Sequence, residues 1–176
     1  MTGVRLRFLT SRRTFSMTKN SVDDDIDLVV KAQSLGEHER VIKMCRGMLA
    51  NLSSRDDLET IVRLRDILIR TLTWDPCTEQ EKDEIEKQFD LLFENHLTRR
   101  NRLNAARTLL DKADFFKDFR CWESLSKLTE LFSQSTYPSI LEVVRDAFNR
   151  KLEICATEAP DFPVLCADYG RFLQHP

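Results

Sequence analysis

The chain has 176 residues, 41% of them hydrophobic, with only four Gly and five Pro. That supplies one sizeable core and too few chain-breakers for a loop-rich sandwich, a collagen or a flexible linker protein. Its 27 Lys+Arg and 29 Asp+Glu give a net charge of −2, and no apolar run approaches the roughly 18 residues of a membrane-spanning helix.

Charge is not spread evenly. Residues 1–15 hold Arg5, Arg7, Arg12 and Arg13 and no acid, leaving 23 bases against 29 acids, a net −6, for the rest. Phosphate binding needs a positive surface, so that acidic remainder argues against general nucleic-acid affinity. Wound as a helix, residues 1–20 place Val4, Phe8, Ser11 and Phe15 on one side with arginines beside them. A basic, hydroxyl-rich, acid-free amphipathic start is the composition of a mitochondrial transit peptide; the alternative is a disordered basic tail. Arg13-Thr14-Phe15-Ser16 resembles the matrix-processing pattern and predicts cleavage after Phe15. Translation from Met17 would omit the address and leave the protein in the cytoplasm.

From residue 21 the pattern predicts a single all-helical domain, 21–176, with no strand. Carboxylates at Asp23–Asp27 suit the positive end of a first helix, which should stop at Gly36. A second helix over 37–52 aligns Val41, Cys45, Met48 and Leu52. The third, 56–73, is apolar on more than one side (Leu58, Ile61, Leu64, Ile67, Leu68, Ile69, Leu72) and is expected between neighbours. Asp75-Pro76 breaks it. Thr78 then caps a fourth helix facing Ile85, Phe89, Leu92 and Phe93 inward. Further helices are predicted over 101–113, 116–134 and 139–158, with a short last one holding Leu165, Tyr169 and Phe172. Seven to eight helices with short connections fall into antiparallel hairpins of a size used in helical-repeat arrays.

One stretch carries a resemblance. In Lys31–Asn51, KAQSLGEHERVIKMCRGMLAN, Gly36 sits at an inter-helix turn. His38 and Cys45 occupy aromatic positions, and Val41 and Met48 small-residue ones. These roughly 20 residues resemble the join between the two helices of a tetratricopeptide repeat; the Trp-Leu-Gly signature and the closing proline are missing. The resemblance implies hairpins stacked as a short right-handed tetratricopeptide-like array.

Signatures of catalysis are missing: the chain has no P-loop, GxGxxG, GxSxG or HExxH. Five widely spaced cysteines (Cys45, Cys77, Cys121, Cys155, Cys166) form no CxxC, so reduced, largely buried thiols are expected rather than a zinc site or disulfide framework. A Cys–His pair brought together by folding, for example Cys45 with His96, is the nucleophile arrangement left to test. Glu79, Asp83 and Glu86 share a helical face but read as a solvated helix start, and no metal site or cofactor is expected. Arg99, Arg100, Arg102 and Arg107 form the most distinctive charged run. They read as helix-end complements, as an anion or RNA-phosphate site, or as a contact to an acidic partner. Phe115 and Phe116 are adjacent and cannot both point inward, which predicts an exposed aromatic contact.

These features predict a non-enzymatic protein-protein interaction protein: a small accessory subunit or assembly factor of a larger complex in the mitochondrial matrix, whose partners are other subunits. The alternative is a mitochondrial RNA-binding helical repeat using Arg99–Arg107.

Overall fold

The computed structural model describes residues 19–52, 57–74, 78–155 and 159–174. Among them are eight α-helices and no strand: α1 (Lys19–Ser34), α2 (His38–Asn51), α3 (Leu58–Leu72), α4 (Glu79–Thr98), α5 (Arg102–Phe115), α6 (Phe119–Phe132), α7 (Pro138–Ile154) and α8 (Phe162–Leu173). The expected transit-peptide residues Arg13, Phe15 and Ser16 lie outside the described residues.

Local chemistry explains the boundaries. Asp57, Thr78, Asn101 and Asp118 each accept a backbone N–H of the helix they open. At α4 the cap is reciprocal, with Glu81 reaching back to the Thr78 N–H at 2.7 Å. Pro138 begins α7, where its missing N–H costs nothing. The cap at Asp118 explains why α6 starts at Phe119 and not at Phe116. Helix α1 starts at Lys19, so Asp23–Asp25 fall in its second turn rather than its first.

Two turns share one geometry. After α1, Glu37 N–H donates to Ala32 C=O at 3.1 Å and Gly36 N–H to Gln33 C=O at 3.0 Å, with Gly36 at φ 72. After α4, Asn101 N–H donates to His96 C=O and Arg100 N–H to Leu97 C=O, both at 2.9 Å, with Arg100 at φ 56. Both close the helix with the paired hydrogen bonds of a Schellman motif. Glycine takes the left-handed position in the first turn and an arginine takes it in the second.

The helices pack chiefly on their chain neighbours, and α5 also meets α7. Two apolar clusters result. The first joins α1–α4 through Val29, Val41, Cys45, Leu64, Leu68, Ile85 and Phe89, with Phe116 added from the α5–α6 connection. The second joins α4–α8 through Phe93, Leu109, Leu125, Leu128, Phe132, Val144 and Phe148. As its composition predicts, α3 buries residues on several sides. Helix α8 rests on α7 through Phe148, whose ring lies 5.2 Å from Tyr169 and 5.3 Å from Phe172.

Helix α4 serves both clusters, and its polar side is held from four directions. Arg46 of α2 makes two hydrogen bonds to Glu84, at 2.9 and 2.5 Å. Arg65 of α3 donates to Gln88 at 2.5 Å. The buried Lys112 of α5 bonds Asp90 at 2.8 Å and Glu86 at 3.0 Å. Arg120 of α6, its side chain 11% exposed, reaches Asp83 at 3.0 Å and Glu86 at 3.2 Å. It also lies over the Phe116 ring, 5.0 Å from the centroid.

Two stability predictions follow from this architecture. Gly36→Ala should cost about 1 kcal/mol, because only the left-handed backbone opposes a Cβ there, and Arg100→Gly should return about as much. Arg120→Ala strips a nearly buried cation from its carboxylates and should cost about 3 kcal/mol, against less than about 0.5 for Arg145→Ala at an exposed position of α7. Urea midpoints at constant m-value are the measurement for both.

Candidate functional site

Helices α3 and α5 stand on either side of α4 and leave a cleft of about 980 Å³. Val62, Ile69, Phe89, Leu92 and Phe115 supply its apolar surface. Charged residues line it too: Glu59, Arg63, Asp66 and Arg70 from α3, Arg99 closing α4, and Arg107, Asp111 and Asp114 from α5. Four acids face four arginines, so the cleft has no net charge. Several are paired already: Arg70 with Asp66 at 3.1 Å, Arg99 with Glu59 at 3.7 Å, and Arg150 of α7 with Asp114.

His96 lies at the cleft floor, 7% exposed, and its Nδ1 has no hydrogen-bond partner. Burial holds its imidazole below the ordinary range, helped by the Arg99 guanidinium and opposed by Asp66. Asp111 reaches solvent at the mouth, yet partial desolvation pushes its carboxyl up, with Asp66 adding repulsion and Arg70, Arg107 and Arg150 pulling the other way. Asp66 thus acts on both the histidine and the opposite carboxylate.

The arginine run does not stay together. Arg99 and Arg107 line the cleft. Arg100 is exposed in the left-handed turn, and Arg102 sits over the Phe132 ring at 5.5 Å from its centroid. At the α5–α6 connection Phe116 is buried and Phe115 half-buried; the exposed aromatic is Phe119, at 67%. Asp118 caps α6 and turns Phe119 outward, while Phe116 plugs the first cluster.

Cys45 is fully buried in the first cluster, where desolvation pushes its thiol up to about 11. So little thiolate exists there at neutral pH that nucleophilic chemistry has no support at this position. Cys121 is raised for the same reason. Glu79, Asp83 and Glu86 all approach Arg120, while Glu79 and Asp83 stay largely exposed to solvent, as a solvated helix start would be. Among the described residues no group of three or more His, Cys, Asp or Glu is placed to hold a metal ion. No helix among them is long and apolar enough to cross a membrane.

The α3 stripe is a further signal in the sequence. Glu59, Arg63, Asp66 and Arg70 alternate in sign at spacings of four, three and four, which puts them on one face. The stronger apolar pattern on the same helix masks that signal.

Compared with known proteins, the chain matches no family model, no curated protein and no solved structure.

The lowered His96 sets a pH dependence. The unfolded chain takes up the proton first, near pH 6.5, so the contribution is fully present above that value and lost as pH falls through the folded pKa. Between the two, stability should fall by up to about 1.4 kcal/mol per pH unit. His96→Gln should remove that segment of slope from a series of urea midpoints taken between about pH 7.5 and 5.

Proposed function

We propose that this chain is a non-catalytic interaction protein, a small helical accessory subunit or assembly factor of a larger mitochondrial complex. The observation that carries the reading is the α3–α4–α5 cleft of about 980 Å³, lined by apolar residues together with four acids and four arginines, neutral in sum. A surface of that kind suits a peptide or helix of a partner protein better than a small polar substrate or a phosphate backbone. The thiol raised at Cys45 and the absence of catalytic motifs point the same way. We further read the helices as a short right-handed array similar to tetratricopeptide hairpins, supported by the Gly36 turn and by packing between successive helices. The mitochondrial matrix is supported by the basic, acid-free residues 1–20 and by the processing pattern ending at Phe15.

The RNA reading draws less support. Of its four arginines, Arg99 and Arg107 share the cleft with four carboxylates, and Arg100 and Arg102 point elsewhere.

The tagged full-length protein should copurify from gently lysed mitochondria in a particle much larger than itself. Its partner set should resist ribonuclease. Loss of partners on ribonuclease treatment would revive the RNA reading, and a free monomer outside mitochondria would overturn the function and the address together.

A further inference from the structure

We infer that the chain pairs with a second copy of itself across the face where α6 begins and α7 ends, each copy seating its Phe119 ring in a cavity of the other. This goes beyond the interaction reading above and does not depend on the α3–α4–α5 cleft.

That face carries a hole and a knob. The hole is a second cavity, of about 490 Å³, whose apolar lining is Ala113 and Phe116 from the end of α5 and its connection, Cys121 of α6 and Ile154 of α7. Ile154 is 54% exposed and adds apolar surface where the cavity opens. The knob is Phe119, next in the chain to the lining residue Asp118 and 67% exposed. A single exposed apolar side chain is ordinary, but this one is held in place beside an apolar hole. The Arg120 guanidinium lies 5.7 Å from the centroid of the Phe119 ring and 5.0 Å from that of Phe116. Asp83 and Glu86 fix that guanidinium in turn. The ring is therefore steadied before any partner arrives, and docking it costs less side-chain entropy.

Charge at the rim selects a second copy as the occupant. Asp114 is paired with Arg150, and Asp118 is occupied in capping α6. Lys117 and Glu153 are left, both exposed and neither with an ion partner among the described residues. One cation and one anion, on the α5–α6 connection and on α7, share a face with one knob and one hole. A two-fold rotation sets Lys117 of each copy against Glu153 of the other, and each knob against the opposite hole. Aromatic anchors in apolar pockets supply most of the affinity of such contacts, while rim charges set the register.

Sedimentation velocity of the purified full chain over a micromolar dilution series should show a reversible monomer–dimer equilibrium. Phe119→Ala should weaken it by about thirtyfold or more and leave cooperative melting unchanged, because the ring is exposed in the single chain. Lys117→Glu and Glu153→Lys should each weaken it by about tenfold. The double reversal should restore it to within about threefold, since only a direct pair recovers when both signs are exchanged. A chain that stays monomeric throughout the series would overturn the inference. So would a dimer that Phe119→Ala leaves intact, or a double reversal no better than either single change. The interaction reading is judged separately, by the native size of the particle recovered from mitochondria.

Discussion

The acidic side of α4 and the cations that answer it are the constraint on which the other features depend. An isolated helix carrying Glu79, Asp83, Glu84, Glu86 and Asp90 would repel itself along its length. Here Arg46, Lys112 and Arg120 arrive from three different helices and pair with Glu84, Asp90 and Asp83 respectively. Of these, α5 packs directly on α4, while α2 and α6 reach it through the Arg46 and Arg120 side chains. The placement of α5 is also the placement of one wall of the cleft. Arg120 does more than pair: its guanidinium covers Phe116, and Phe116 closes the first apolar cluster from the far side of α5. Surface ion pairs contribute little singly, but Lys112 and Arg120 are largely buried and share Glu86, so these two act as a network with a preferred geometry.

Because α4 holds its neighbours on its polar side, its apolar residues are free to face two ways. Ile85, Phe89 and Leu92 enter the first cluster and Phe93 the second. His96, one turn further on, falls between them at the floor of the cleft. A histidine there is buried enough to stay neutral and close enough to Asp66 and Arg99 to feel both. The cleft's character follows: apolar residues and one unmatched polar atom among its lining, with four acids set against four arginines.

Helices and most of their ends were legible because their signals are local. Thr78 with Glu81 is a cap whose partner lies three residues away, and Gly36 marks its turn without help from the fold. The α3 prediction succeeded because apolar residues on several sides leave few alternatives to burial. Arg99–Arg107 was harder to read: adjacency in sequence suggested one patch, but the left-handed turn at Arg100 sends neighbouring side chains to different faces. Phe115, Phe116 and Phe119 posed the same difficulty, since the helix break at Asp118 decides which ring meets solvent. The cleft lay beyond local reasoning altogether. Asp66, His96 and Asp111 stand on three helices, and no spacing along the chain announces that they share a space.

Packing between successive helices has a consequence for how the chain is made. Loops closed by such contacts are short, so the entropy of closing them is small and folding can keep pace with the chain as it emerges. Helices α1 to α3 can begin to settle with nothing beyond them, but α4 cannot finish. Until α5 and the Phe116 plug have emerged, Phe93 and Leu97 have no second cluster to enter and the first cluster lacks its lid. A nascent chain paused between Thr98 and Phe116 therefore shows its stickiest surface, and that interval is when a chaperone would have most to hold.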